Sequence, residues 1–227
     1  MRSELGDSLE MGDRGRKMPA RGYSREECSR KEVAVAVIER EMTMAEAADR
    51  ISTWLPGHRV EIIRGSIIVS PPPDEPHQGT VFEVGYEFRR AGAKEAGLKV
   101  RPGIGLWLPS GPADYAIPDL SIVESDIGDA LVRKNRYAPH VFRMVLEVTS
   151  SNWSDDTLSK PEVYAEAGIP VYVVVDREHD EILLYTAPAD GKYPDPLRYR
   201  RGQAVPVPES VGVALELSVD TLLDGDD

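Results

Sequence analysis

VFRMVLEVTSSNWSDDTLSKPEVYAEAGIPVYVVVD, residues 141–176, decides the fold. VFRMVLEV (141–148) and VYVVV (171–175) are short apolar runs rich in β-branched residues, as in strands buried on both faces. Between them, 152–168 reads as a helix ending at Ala167-Gly168. A strand, a helix and a second buried strand in this order predict parallel pairing through a right-handed crossover. Pro161 fits a helix only in its first turn or at a kink, because it lacks an N–H. The 154–160 stretch is therefore expected as a separate turn that presents Lys160.

Upstream, RVEIIRGSIIVS (59–70) reads as a hairpin turning at Arg64-Gly65, and Pro71–Pro73 ends it. A helix is expected over 76–96 with Val81, Val84, Gly85 and Phe88 on one face and Gly97 as its stop. Short strands follow at 98–101, 104–108 and 117–123, with a polar, irregular stretch over 124–140. EILLY (181–185) opens a C-terminal β meander that runs to about 217. The expected organisation is a disordered tail (1–30), an N-terminal helical segment (31–55), one mixed α/β (α+β) domain (56–220) and a frayed end (221–227). One of Met42 and Met44 is expected to be the natural start, because the patterned sequence begins only after them.

The 227 residues carry a net charge of −12, from 39 Asp and Glu against 27 Lys and Arg. Bulk electrostatics therefore oppose nucleic-acid binding, which would need a local basic patch or metal ions. Arg133, Lys134 and Arg136 are candidates for such a patch, against the reading of an ordinary exposed loop. No apolar run reaches the roughly 20 residues of a membrane span, and no secretion signal opens the chain. The single cysteine, Cys28, excludes an internal disulfide and a multi-cysteine zinc site. A cytoplasmic location is expected.

Two carboxylates stand in apolar strands, Asp119 in IPDLSIV and Glu147 in VFRMVLEV. A carboxylate there is costly unless paired or bound to metal. Alternation places Val145, Glu147 and Thr149 on one face and Leu146 and Val148 on the other. If the strands are neighbours, Asp119 and Glu147 converge on a site suited to Mg²⁺; otherwise each caps a turn or pairs with a surface base. Lys160 follows Asp156 by four residues, the spacing of a solvated ion pair. The alternative is a lysine projecting back toward Glu147 to orient an attacking water. Glu61 is a third acidic contributor, and His77 reads as a surface residue at a helix start. Thr149, Ser150, Ser151 and Asp176 read as turn residues. Neither a serine-hydrolase elbow nor a phosphate-binding glycine loop is present.

These residues together resemble the Uma-two family of bacterial restriction endonucleases, within the PD-(D/E)xK nuclease superfamily. The resemblance runs over about residues 56–220. It rests on Pro118-Asp119, Glu147-Val148-Thr149, Asp156 with Lys160, Tyr-Ala-x-x-Gly-Ile-Pro (164–170) and the strand ending at Asp176. It implies a restriction-endonuclease-like α-β-β-β-α-β core, a mixed four-stranded sheet flanked by helices. It further implies a DNA-cleaving enzyme using Mg²⁺ or Mn²⁺, held by Asp119, Glu147 and the Val148 carbonyl. The chain departs from the superfamily at Thr149, where lysine is expected; similar family members carry the lysine in the next helix, at the position of Lys160. Glu61, His77 and Asp156 are accessory candidates. Cutting both strands would suit a homodimer. A degenerate, non-catalytic binding module is the alternative.

Overall fold

The computed structural model describes residues 41–149 and 155–226. Strand β9 (Phe142–Val148) pairs in parallel with β10 (Val171–Asp176), Glu147 opposite Val174. Between them a π-helical turn (Asp155–Ser159) leads into helix α3 (Lys160–Glu166), with Pro161 in its first turn. The Pro161 ring thus sits where the helix has no N–H to satisfy, and Gly168 leaves the helix at φ 71°. The parallel pairing expected from the sequence, with a helix between the two strands, is present.

On one flank, β10 pairs with β11 (Glu181–Thr186), and β11 pairs with β12 (Leu197–Arg200). On the other, β9 pairs with β6 (Leu120–Glu124), and β6 pairs with β3 (Leu98–Pro102). The result is a six-stranded mixed sheet, β12-β11-β10-β9-β6-β3. A second six-stranded sheet runs β2-β1-β5-β4-β8-β7. It starts from the hairpin β1 (Arg59–Ile63) and β2 (Ser66–Ser70). Arg64 and Gly65 turn this hairpin at φ 50° and 72°, the paired left-handed conformation that matches strand twist. β4 (Gly105–Trp107), β5 (Tyr115–Ala116), β7 (Leu131–Arg133) and β8 (Arg136–Tyr137) complete the sheet. The fold is therefore mixed α+β, with two large sheets where the resemblance implied one of four strands.

Leu146, Met144 and Val148 of β9 face a core with Val84 and Phe88 of helix α2 (Glu75–Arg90) and Leu222 and Leu223 of helix α4 (Val219–Asp224). Val145 faces the other core, between the two sheets, with Leu106, Val174, Val163 and Tyr164. Ala48 of helix α1 (Met44–Trp54) packs with Val60, Ile62 and Tyr115. A short hairpin, β13 (Ala204–Pro206) and β14 (Glu216–Ser218), closes the C-terminal region.

Several expectations are corrected. Helix α2 stops at Arg90, not near 96, because Gly92 already turns left-handed at φ 89° and the Ala93 N–H bonds back to the Phe88 carbonyl. The stretch 124–140 is not irregular but contributes β7 and β8. The end of the chain is helical over Val219–Asp224 where fraying was expected. Leu222 and Leu223 are buried there, and the Thr80 hydroxyl donates to the Leu222 carbonyl at 2.9 Å. A side chain at Gly79 would meet the Gly225 carbonyl oxygen at 2.0 Å, so the two segments cross on glycines. Among the described residues the first helix, α1, begins at Met44, capped by Thr43 and Glu46 in a reciprocal capping box. Residues 1–40, Ser150 and Ser151 lie outside the described residues.

Candidate functional site

Strand β1 supplies the first side chains. Its alternation sends Arg59 and Glu61 to the same side, toward the sheet that carries Glu147. Glu61 is buried, and its Oε1 accepts the Ile117 N–H at 2.6 Å. The bond fixes the segment Ile117–Pro118–Asp119, which leads into β6 rather than lying inside it. Asp119 Oδ2 then accepts the Val148 N–H at 2.8 Å. Asp119 and Glu147 are brought together because β6 and β9 are hydrogen-bonded neighbours, Leu120 opposite Leu146.

Glu147 is fully buried, and its two oxygens differ. Oε1 accepts the Lys160 ammonium at 2.7 Å and the Tyr164 hydroxyl at 2.7 Å. Oε2 has no hydrogen-bond partner and lies 3.5 Å from Arg59. Lys160 and Tyr164 are four apart on α3, the spacing that stacks side chains on one helix face. Lys160 is 2% exposed and also reaches Asp156 at 2.9 Å and Glu61 at 3.7 Å. The solvated-pair reading of Asp156 and Lys160 is therefore wrong: the crossover folds this pair inward against β9.

Arg59 lies between the two carboxylates. Its guanidinium is 2.5 Å from Asp119 Oδ1 and donates to the Ile117 carbonyl at 2.9 Å. His77 was expected at the surface and is instead buried, with Nε2 3.1 Å from Asp119 Oδ1. It is turned inward from the first turn of α2, which Asp74 caps by accepting the His77 backbone N–H at 3.0 Å.

Four carboxylates, Glu61, Asp119, Glu147 and Asp156, thus face two cations, Arg59 and Lys160. Burial pushes the Glu147 carboxyl up to about 8, against the pull of Lys160 and with the help of Asp119. Burial also raises Asp156. Burial opposes the Lys160 ammonium, but Glu147, Glu61 and Asp156 outweigh it and hold the lysine above its usual range. These shifts have one cause: acids outnumber cations in a dry place, so the cluster retains protons. Asp119 goes the other way. Burial works against its charge, but His77, Arg59 and the Val148 N–H hold it below the usual carboxylate range.

The carboxylates are hard oxygen donors, and Glu147 Oε2 is a buried acceptor with no donor. Among the described residues no group of three or more His, Cys, Asp or Glu side chains is arranged to hold an ion. The chain would thus supply two carboxylates and a backbone carbonyl, with water and substrate completing the shell, the habit of Mg²⁺. Arg59 would have to yield its place.

Thr149, at the superfamily's lysine position, is committed elsewhere: its hydroxyl donates to the Val175 carbonyl at 3.1 Å and accepts the Arg177 N–H at 2.9 Å. Asp176 likewise acts as a turn residue, accepting the backbone N–H groups of Glu178 and His179. Arg133, Lys134 and Arg136 are not at this site; they gather on Asp49 of α1. Sequence reasoning missed Arg59 and Tyr164. The available signals were the i, i+2 step from Glu61 and the i, i+4 step from Lys160.

Among the described residues, no helix is long and apolar enough to cross a membrane. The chain is similar to the crystal structure of a protein from Anabaena variabilis titled "a putative nuclease belonging to DUF820". That match has 17% identity and a TM-score of 0.61, covering 82% of this chain and 99% of the other. At that identity the likeness is one of fold. No curated protein matches the chain. A family model described as "Putative restriction endonuclease", Uma2, matches residues 49–220. Spanning most of the chain, that match joins the nuclease-like fold to the same stretch that holds Asp119, Glu147 and Lys160, and the chain belongs to the Uma2 family.

Proposed function

We propose that the chain is a metal-dependent endonuclease acting on DNA. The observation that carries this reading is the meeting of Asp119, Glu147 and Lys160, from three separate elements, at one buried point. Asp119, Glu147 and the Val148 carbonyl would hold Mg²⁺ or Mn²⁺, which when bound acidifies a water and polarises a phosphate. Lys160 and Tyr164 occupy Glu147 Oε1, which leaves Oε2 as the oxygen that would serve an ion. Lys160 also offsets the carboxylate charge and, in this role, replaces the lysine missing at position 149. His77 and Arg59 orient Asp119. Arg59 is the cation on the open side, 21% exposed in its side chain, and is placed to meet an incoming phosphate.

The test is calorimetric Mg²⁺ and Mn²⁺ binding to wild type and to Asp119→Ala/Glu147→Ala, with plasmid nicking on the same samples. Wild type should bind metal and nick, and the variant should do neither. Well-folded wild type that does neither overturns the reading.

A second reading, a nuclease fold retained for binding, is favoured by Arg59. A guanidinium bridging the two carboxylates is an internal substitute for a metal, and the structural bonds of Thr149 leave no lysine at its position.

A further inference from the structure

The carboxylates do not open straight to solvent. Asp119, His77 and Arg59 form one end of a groove of about 730 Å³ between helix α2 and the β3–β6 side of the sheet that carries β9. The same three residues also line a smaller recess of about 270 Å³ that runs on past Pro71, Pro72 and Pro73. Asp119 therefore stands at a junction, with lined space on both sides.

The long groove is unusual in charge and in lining. The chain carries a net charge of −12, yet Asp119 is the one acid among the groove's lining residues. Two arginines, Arg59 and Arg89, also line it. Arg89 has no ion-pair partner among the described residues. Two acids of α2 line a different recess: Glu83 and Glu87 stand there with Arg90 and Glu216. Along the groove wall stand Phe82 and Tyr86, 67% and 52% exposed. They are four apart and so share a helix face, with Arg89 three further on. Two exposed aromatic rings beside an arginine, on a groove that reaches Asp119, have the composition of a stacking platform for unpaired bases. A duplex keeps its base faces covered and gains nothing from them.

We propose that this groove binds an unpaired DNA strand. Phe82 and Tyr86 stack successive bases, Arg89 pairs with a backbone phosphate, and the strand passes Asp119 into the proline-lined recess. The inference rests on the nuclease reading for its choice of DNA.

The experiment is fluorescence anisotropy of wild type, Phe82→Ala, Tyr86→Ala and the double variant. The probes are a labelled oligo-thymidine, a blunt duplex and an oligo-uridine of equal length, in EDTA so that no strand is cut. Both aromatic residues are exposed, so the variants should keep the wild-type melting temperature. Stacking contributes about 1–3 kcal/mol per base, a factor of roughly 5 to 150 in affinity. Each single variant should lose that factor for oligo-thymidine and little for duplex. Wild type should prefer the single strand by about tenfold or more. Equal or tighter binding of duplex, or unchanged affinity in the double variant, overturns the proposal. So does tighter binding of oligo-uridine than of oligo-thymidine. A wild-type dimer in sedimentation that the double variant dissolves, with no loss of DNA affinity, overturns it in favour of an interface with a second copy. Plasmid nicking separates the two readings. Aromatic-dependent single-strand binding without nicking sustains the groove and removes the nuclease. Metal-dependent nicking that survives the double variant, with no single-strand preference, does the reverse.

Discussion

Two charge clusters in this molecule have opposite imbalances. Around Glu147, four carboxylates face Arg59 and Lys160, and Glu147 itself is fully buried. Around Asp49, a single carboxylate faces Arg133, Lys134 and Arg136 at 3.4, 2.7 and 3.7 Å, and Lys134 is 59% exposed. The surplus at Asp49 is dispersed by water and salt. The surplus at Glu147 has no solvent to disperse it, so it is expressed as an affinity for protons or, in the proposed function, for a divalent ion. Burial, rather than the number of charges, is what turns an ion cluster into a candidate site.

The largest test of that contrast removes one cation from each. Lys160→Ala leaves Glu147, Asp156 and Glu61 without their shared ammonium, and breaking a buried pair costs about 3–5 kcal/mol. Urea unfolding should show a loss of that size, little changed by salt. If Lys160→Ala costs no more than Lys134→Ala, the contrast between the clusters is wrong.

A pH series sharpens the same point. Glu147 has a folded value of about 8 against its ordinary 4.5. Between those values the folded state keeps a proton that the unfolded state releases, so stability falls as pH rises from about 4.5 to 8. Asp119 is shifted down, so its contribution is present above its ordinary value and is lost as pH falls below it. In EDTA, the urea midpoint should therefore decline toward pH 8, and Glu147→Gln should flatten the decline. A midpoint that climbs over that range contradicts the burial argument.

Arg59 offers an intermediate effect. Its guanidinium lies between Asp119 and Glu147, so under the proposed function it would compete with an ion. Arg59→Met should tighten Mg²⁺ binding by about tenfold, equivalent to roughly 1.4 kcal/mol, while lowering the stability of the metal-free protein. Calorimetry decides it. Weaker binding in the variant would make Arg59 a scaffold for the metal ligands rather than a rival to the metal.

How far the site is legible in the sequence follows from which interactions are local. The stretch 141–176 carries its own pattern, so the parallel pair, the crossover and the inward face of Glu147 are all readable from it. The Arg64-Gly65 turn is readable for the same reason. Arg59 is different: its partners Asp119 and Glu147 lie 60 and 88 positions away, and alternation along β1 gives its face but not what that face meets. His77 reads as a surface residue because a helix start is usually exposed; burial comes from Asp119, which no local pattern places beside it. The helical end at Val219–Asp224 is hidden likewise, since Leu222 and Leu223 are buried by α2, some 140 residues earlier. Tyr164, by contrast, lies one helical turn beyond Lys160 and could have been found.

The smallest expected effect is at Asp49, where the sequence offered Arg133, Lys134 and Arg136 as a patch for DNA. Burial opposes the charge of Asp49, but Lys134, Arg136 and Arg133 hold its carboxyl below the ordinary value. Its stabilising contribution is thus present above that value and lost as pH falls through the lowered one. The group is largely solvated, so the shift must be discounted heavily for screening. Asp49→Asn should cost about 0.2–1 kcal/mol in dilute buffer and almost nothing in about 1 M salt. The same substitution also frees the three bases. If they were the attracting patch, Asp49→Asn should strengthen DNA binding while Phe82→Ala/Tyr86→Ala leaves it unchanged. The groove predicts no gain from Asp49→Asn and a loss from Phe82→Ala/Tyr86→Ala, because the bases at Asp49 do not line it, whereas Arg59 and Arg89 do.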